Sequence, residues 1–205
     1  MPRFLPLLAF SFLSLTLFGC GKSLPTQYYA FEGADCSLQC DTLPKRTLRV
    51  ARVGIPQYLE REALVQRKPG CVALTVDSLH VWAEPLADGI RRLLANGLTE
   101  PLLANGLTVL PLGSESRGTY TLLLDILHLD GVKEGEATLS AQWSLLESES
   151  NLVLDDGLFS ARKHVPEANN ASLVATWAQL ITEATEHIAG RINQKFSKSR
   201  SLQRR

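Results

Sequence analysis

An α+β fold is predicted for this sequence: a single domain in which a mixed, largely antiparallel sheet carries two main helices packed on one face, after a cleaved signal peptide. Two observations support this prediction. Apolar and polar residues alternate in much of 47–82 and 120–165, whereas apolar residues recur every three or four positions in 86–98 and 173–192. The chain beyond residue 19 is long enough for one ordinary domain with its own core.

The first residues have the pattern of an export signal. Met1-Pro2-Arg3 supplies a positive charge, and residues 4–18 follow without any charge. As a helix this run would reach only about 22 Å, against roughly 30 Å of bilayer core, which favours a cleaved signal over a membrane span. Leu17-Phe18-Gly19-Cys20 resembles a bacterial lipobox. We therefore predict a lipoprotein signal peptide over 1–19, lipidation of Cys20 by acyl chains such as palmitate, and a lipidated tether over 20–27. A plain signal peptide with an ordinary Cys20 thiol is the alternative.

The cysteine count fits an exported protein in which one cysteine is modified. With Cys20 lipidated, Cys36, Cys40 and Cys71 remain. We predict a disulfide between Cys36 and Cys40, with Cys71 buried in a strand. A redox or metal pair at Cys36 and Cys40 is the alternative, although the sequence has no histidine close by to complete a zinc site.

The first half of the chain contains four short strand candidates. Residues 28–31 are rich in strand formers, and 36–46 carry the polar residues and proline of a loop. Residues 47–55 alternate between aliphatic and basic side chains. Two further candidates follow, at 71–76 and at 80–82.

The next segment contains the same word, LLANGLT, twice, from Leu93 and from Leu102. Pro85 suits a first helical turn, and the leucines and isoleucine that follow form one helical face, so the first copy is predicted to be helical. Pro101 disfavours helical angles at the residue before it, so the helix should end or kink close by. In the second copy, Asn105-Gly106 can supply a left-handed turn, after which the word should end as a strand.

Three long alternating segments follow, at 120–130, 137–145 and 152–165. Gly131 to Gly135 is a plausible hairpin between the first two, which favours antiparallel pairing. Asp155-Asp156-Gly157 in the third segment is predicted to form a bulge or a turn.

A last helix is predicted to start at a cap formed by Asn169-Asn170 and to pack on the sheet. Its apolar stripe consists of Leu173, Val174, Trp177, Leu180, Ile181, Ala184, Ile188 and Ile192. The domain is therefore predicted to span 28–196, followed by a basic disordered tail over 197–205.

Residues with catalytic or metal-binding spacing are absent from the sequence. The four histidines are scattered, the serines lack the spacing of a nucleophile elbow, and no glycine-rich phosphate loop follows a strand. We therefore predict no catalytic residue, no metal and no cofactor. Lys and Arg together number 21, as do Asp and Glu, and this balance gives no general attraction to nucleic acid.

Two clusters carry aromatic residues beside a proline, at 53–59 and at 80–86. Aromatic residues are enriched in protein interfaces, so Tyr58, Leu59, Trp82 and Pro85 are candidate contact residues. Packing in the core is the alternative role for the same residues.

Four segments resemble the PqiC group of ABC-type transport auxiliary lipoproteins, also described as membrane integrity-associated transporter subunits. They are YYAF after the tether, VGIPQYLEREALVQR at 53–67, WAEPLADGIRRLLANGL at 82–98, and the closing helix SLVATWAQLITEATEHIAGRI. The most specific part is the P-x-Y-L element followed by W-A-x-P-L. The pair Cys36 and Cys40 and the basic tail depart from the family pattern.

This resemblance, rather than composition, implies a function. Proteins of the PqiC group are periplasm-facing outer-membrane lipoproteins that assemble into a ring and dock onto a tunnel-forming MCE protein. The resemblance thus implies a non-enzymatic subunit with a PqiB-like MCE partner, a homo-oligomeric ring and an outer-membrane lipid anchor. Gly21 favours the outer membrane, whereas Lys22-Ser23 resembles a retention signal and keeps the inner membrane open. A stand-alone lipid or small-molecule binding lipoprotein and an enzyme are the alternatives.

Overall fold

The computed structural model describes residues 24–32, 44, 46–68 and 70–202, with side chains up to residue 197. The predicted signal peptide, the lipidation of Cys20 and the Cys36–Cys40 disulfide lie outside these residues.

Eight strands and two α-helices follow one another in the described part of the chain. The strands are β1 (Gln27–Tyr29), β2 (Thr47–Val50), β3 (Ala63–Arg67), β4 (Leu74–Trp82), β5 (Thr108–Val109), β6 (Tyr120–Gly131), β7 (Glu136–Glu147) and β8 (Val153–His164). The helices are α1 (Leu86–Leu103) and α2 (Asn170–Leu202), and Gln57–Leu59 form a 3-10 turn.

The strands form two hydrogen-bonded sheets, where the sequence predicts one. The larger sheet has the order β5-β2-β6-β7-β8, with β2 parallel to both β5 and β6 and with β6, β7 and β8 antiparallel. The smaller sheet has the order β1-β4-β3. Strands β2 and β7 occupy both edges of β6, so β3 contacts β6 without joining the larger sheet.

Both helices pack on one face of the larger sheet, which confirms the α+β class. Helix α2 contacts β7 and β8, while α1 contacts β5, β2 and α2. The inward side chains form one core that includes the completely enclosed Trp143 and Trp177. On the opposite face of the sheet, Leu123, Leu127 and Leu158 are exposed to solvent.

The hairpin between β6 and β7 is confirmed, whereas the predicted bulge or turn at 155–157 is wrong. Residues Asp155 and Gly157 pair regularly with β7, and the register shift falls at Leu154 instead. The Asp155 carboxylate accepts a hydrogen bond from Arg191 of α2 at 2.6 Å. Packing against the helix and against β7 therefore overrides the local turn preference of Asp-Asp-Gly.

The small sheet differs most from the sequence-based expectation. Strand β3 was not predicted, and residues 74–76 and 80–82 of the two short candidates are parts of one strand, β4. The residues Ser78 to His80 of β4 form a bulge, because they have no pairing partner in β3. Strand β1 pairs with His80, the last residue of this bulge. Cys71 lies in a bend before β4 and is exposed, so its predicted burial in a strand is wrong.

The first copy of LLANGLT lies wholly within α1, as predicted. Leu93 and Leu98 are buried against the core. The helix passes through Pro101 and ends two residues later, at Leu103. The helix therefore ends close to Pro101, as predicted, although not at the proline itself.

The second copy ends in a strand, also as predicted. Gly106 adopts a φ of 75° and donates its N–H to the Leu103 carbonyl at 2.9 Å. Leu107 donates its N–H to the Leu102 carbonyl at 3.1 Å. These two bonds form a Schellman motif, which reverses the chain and delivers Thr108 to β5.

The glycines of the two copies are expected to resist replacement for different reasons. Gly106→Ala forces a side chain into the left-handed region, at a cost of about 1–2 kcal/mol. At Gly97 an added Cβ would lie 2.9 Å from Thr185 Cγ2 of α2, so Gly97→Ala should lose about 1 kcal/mol despite the better helix propensity of alanine. Thr185→Ser removes this methyl group. It should restore stability to Gly97→Ala in urea unfolding but leave Gly106→Ala unchanged, and equal rescue of both would contradict this account.

The last helix begins as predicted and continues further than predicted. Asn169 Oδ1 accepts the Ser172 N–H at 2.7 Å, which caps the first turn. The helix runs to Leu202, so residues 197–202 are helical where the sequence predicts a disordered tail. Buried Phe196 and its ring contact with Tyr120 hold the helix on the domain beyond the apolar stripe. Neither helix in the described residues is long and apolar enough to cross a bilayer.

Candidate functional site

An open cleft lies where the small sheet meets the start of α1. Its volume is about 730 Å³. The 3-10 turn forms one wall, and the strands β1 and β4 form the other. The lining residues include Tyr28, Ile55, Leu59, Glu60, Arg61, Glu62, Val81, Trp82, Pro85 and Leu86.

Three of the four predicted contact residues line this cleft. Leu59 and Trp82 are buried in its floor, with 4% and 8% of their surfaces exposed, and Pro85 is exposed at its rim. The remaining residue, Tyr58, points away from the cleft toward Asp130. The contact role of these residues stays a prediction, and the core role now has support for Leu59 and Trp82.

The rim of the cleft carries an aromatic side chain that the sequence analysis missed. Tyr28 is 70% exposed, although it lies in a strand beside half-buried Tyr29. The adjacent turn exposes Glu60, Arg61 and Glu62 around the apolar floor. A polar rim around an apolar centre is the usual composition of a protein contact surface. Alternation within the segment YYAF is the signal that could have identified Tyr28.

A buried carboxylate joins the two sheets behind the cleft. Asp130 of β6 accepts hydrogen bonds from Arg67 Nε of β3 at 2.5 Å and from the Tyr58 hydroxyl at 3.3 Å. Its Oδ2 also lies 3.1 Å from His128 Nε2. Only 5% of Asp130 is exposed. We call Tyr58, Arg67, His128 and Asp130 the seam network.

The seam network stabilises the protein rather than activating a group. Burial raises the pKa of the Tyr58 hydroxyl, and the negative charge of Asp130 raises it further. Tyr58 therefore remains a neutral donor at physiological pH. A buried carboxylate that accepts hydrogen bonds from Arg67 and Tyr58 fixes the position of the small sheet on β6.

A second polar chain connects the small sheet to the start of α2. Gln66 Nε2 donates to Asn170 Oδ1 at 2.6 Å, and Asn170 Nδ2 donates to Asp77 at 3.2 Å. The Asp77 carboxylate lies 3.8 Å from Nε2 of His80. The other ring nitrogen of His80, Nδ1, lies 2.9 Å from the Tyr29 hydroxyl. Burial raises the pKa of Tyr29, with Asp77 adding to the effect. The raised pKa keeps the Tyr29 hydroxyl protonated at physiological pH, so it can donate a hydrogen bond within this chain.

Metal ligands do not converge in the described part of the chain. Among these residues, no three His, Cys, Asp or Glu side chains form a group that could hold a metal ion. The cleft itself contains acidic groups and an arginine at its rim and aliphatic or aromatic groups in its floor. Such a composition suits contact with another molecule.

Solved structures share this fold. A crystal structure of an uncharacterised protein superimposes with a TM-score of 0.65 at 23% identity and covers 82% of this chain and 99% of its own. The crystal structure of protein XCC0632 from Xanthomonas campestris, assigned to the family DUF330, gives a TM-score of 0.64 at 19% identity and covers 85% and 99%. A comparison with curated proteins finds no match.

A family match extends over most of the domain. Residues 38–189 match the family described as the ABC-type transport auxiliary lipoprotein component. The matched range includes the 3-10 turn, the seam network and both helices up to the last turns of α2. The resemblance noted in the sequence is thereby confirmed, and the chain belongs to the ABC-type transport auxiliary lipoprotein family.

Proposed function

We propose that this chain is a non-enzymatic lipoprotein subunit of an MCE-type intermembrane lipid transport system. In this proposal, lipidated Cys20 anchors the domain to the periplasmic face of the outer membrane. Copies assemble into a ring that docks a tunnel-forming, PqiB-like MCE protein and thereby supports envelope integrity. The observation that carries the proposal is the family match over 38–189, because a transport auxiliary lipoprotein acts through a membrane anchor and a transporter.

The cleft is the surface that we assign to the MCE partner. It combines the apolar floor around Leu59 and Trp82 with exposed Tyr28 and the charged residues 60–62 that follow the 3-10 turn. Tyrosine at the edge of an apolar depression buries a large area at little cost in side-chain entropy. Both sides of this depression are held rigidly, because the seam network fixes the turn and the small sheet to the larger sheet.

The size of the cleft also supports a second candidate function. A volume of about 730 Å³ lies within the range of small-molecule sites. A stand-alone periplasmic lipoprotein that binds a lipid or a small molecule would use the same floor. The cleft is open to solvent, however, and an acyl chain in it would keep much of its surface in water.

The test starts with the anchor and the partner. Wild-type protein should incorporate a labelled fatty acid in cells, and Cys20→Ala should not; label that survives in Cys20→Ala would contradict the anchor. Affinity-tagged protein, cross-linked in membranes, should retain an MCE-domain protein identified by mass spectrometry and should sediment as an oligomer. A monomer that never retains an MCE protein would contradict the proposal.

Two matched variants locate the docking surface. Tyr28→Ala on the cleft rim should reduce capture of the MCE protein about tenfold, as expected for an aromatic anchor residue. Leu158→Ala on β8 is the control, because Leu158 is 69% exposed, close to the 70% of Tyr28. Bound acyl chains in native mass spectra, lost in Tyr28→Ala without any change in MCE capture, would instead favour the second candidate function.

A further inference from the structure

The end of the β3–β4 hairpin exposes a run of mostly apolar residues. Residues 70–76 are all exposed, and they include Val72, Leu74 and Val76 with 92%, 38% and 48% of their surfaces in solvent. Side chains on both faces of the strand are exposed here, so the hairpin projects from the body of the domain. We call Lys68 and residues 70–76 the hairpin tip. Runs of exposed apolar residues are avoided in monomeric proteins unless they bind something.

Cationic side chains surround the base of the hairpin tip. Arg67, Lys68 and Lys133 line one shallow concavity of about 270 Å³, together with Asp77 as the single carboxylate. Arg67 is paired with Asp130, whereas Lys68 and Lys133 have no carboxylate within ion-pair distance among the described residues. Two cations are therefore available beside an exposed apolar tip. Such a combination suits an anionic bilayer surface, where lysines meet phosphates and apolar side chains enter the headgroup region.

The direction of β1 places the proposed lipid anchor at the same end of the small sheet. Strand β1 runs parallel to β4, with Gln27 opposite His80 and Tyr29 opposite Trp82. The chain before Gln27 therefore leads back along β4 toward the hairpin tip. Six residues of β4 separate His80 from Leu74, or about 20 Å, and seven residues separate Cys20 from Gln27, or about 23 Å when extended. When extended, a tether of this length is long enough to reach the level of the tip.

We propose that the hairpin tip is a second membrane contact, which rests on the leaflet that holds the lipid anchor. Val72 and Leu74 enter the headgroup region, and Lys68 and Lys133 pair with anionic lipid phosphates. This inference rests on the lipid anchor of the proposed function for the orientation of the domain. Two contacts, one through the acyl chains and one through the tip, would fix the tilt of the domain and so the direction in which the cleft faces.

A second copy of this chain is a less suitable occupant for the tip. Stable protein interfaces involve roughly 20–30 residues on each side. The hairpin tip offers only a few residues at the end of a projecting loop. A bilayer surface needs no complementary shape, so a small tip can contribute to a binding that the acyl anchor already favours.

Vesicle binding by the mature chain tests the proposal. The protein carries Cys20→Ser, so that no acyl chain contributes, and its partition onto sedimented vesicles is measured with zwitterionic lipid alone and with added phosphatidylglycerol. Phosphatidylglycerol should raise the partition at least about tenfold, and Lys68→Gln and Lys133→Gln should each lower it about fivefold. Val72→Asp should lower it about tenfold. Leu158→Asp is the control on the larger sheet, where Leu158 is 69% exposed, and it should have no effect.

Two further readouts separate the proposal from its competitors. In a variant in which serine replaces Cys36 and Cys40, a charged maleimide reacts specifically with Cys71, the exposed thiol of the tip. This alkylation should be slower when vesicles are present. Inorganic phosphate at millimolar concentration should not release the protein; full release would identify a soluble-anion site and overturn the membrane contact. The proposal is also overturned if Val72→Asp changes the sedimentation coefficient but not the partition, since the tip would then join copies of the protein.

Failure of this inference and failure of the lipid anchor are distinguishable. The vesicle assay uses a chain without acyl groups, so it reports on the hairpin tip alone. Fatty-acid labelling reports on Cys20 alone. Equal partition of wild type and Val72→Asp would overturn the membrane contact of the tip while leaving the anchor intact.

Discussion

Replacing Asp130 with alanine is expected to lower the free energy of unfolding by about 3 kcal/mol, at the lower end of the effect of breaking a buried ion pair. Asp130 is buried, accepts hydrogen bonds from Arg67 and Tyr58, and lies 3.1 Å from His128 Nε2. The loss is not larger because 32% of the Arg67 side chain is exposed, so the guanidinium can recover hydration. Urea unfolding of the mature chain, followed by tryptophan fluorescence, measures the change.

An exposed aspartate on the same strand provides the control for Asp130. Asp125 lies on the solvent face of β6, and Asp125→Asn should change stability by less than about 0.5 kcal/mol. In Asp130→Ala the small sheet should also separate from the larger one before global unfolding, visible as a lower m-value or a second transition. Equal destabilisation by both substitutions would refute the role of the seam network. A double-mutant cycle that combines Asp130→Ala with Arg67→Met isolates the contribution of the Arg67–Asp130 pair to the free energy of unfolding.

The periodic elements of this fold could be predicted from the sequence, because each buries one continuous face. The alternating residues of β6 and β7 and the apolar stripes of α1 and α2 bury the side chains that their periods indicate. Strand β3 has no such pattern, since Leu64, Val65 and Gln66 are buried in succession. Its partner β4 could not be recognised as one strand, because the polar residues Asp77 and Ser78 interrupt its apolar pattern.

The seam network and the division into two sheets could not be predicted, because both depend on contacts between distant residues. Arg67 and Asp130 are brought together only when β3 lies across β6. A charged residue in an alternating strand was the one available signal, and it could equally have faced solvent. The cleft was partly predictable: the aromatic and proline clusters identified Leu59, Trp82 and Pro85, but the exposure of Tyr28 depends on its pairing with β4.

Truncation of Trp177 to alanine is expected to have the largest effect of any single substitution considered, a loss of about 4 kcal/mol. Trp177 of α2 is 1% exposed, and its ring lies 6.2 Å from that of Trp82, which in turn lies 5.2 Å from Phe31. Removal of the indole leaves a cavity between the helix, the small sheet and the end of β6. Because this cavity adjoins the floor of the cleft, the melting temperature and MCE capture should fall together.

A comparison of two conservative substitutions separates packing from hydrogen bonding at this position. Trp177 Nε1 donates to the Asp130 carbonyl at 3.0 Å, whereas Trp143 Nε1 has no hydrogen-bond partner among the residues that the structure describes, although Trp143 is also 1% exposed. Trp177→Phe should therefore cost about 1 kcal/mol more than Trp143→Phe in urea unfolding, the usual net value of one hydrogen bond. Losses of equal size would show that α2 is held on the seam by ring packing alone. A larger loss for Trp177→Phe that disappears in the Asp130→Ala background would show instead that the bond matters only while the carboxylate fixes the end of β6.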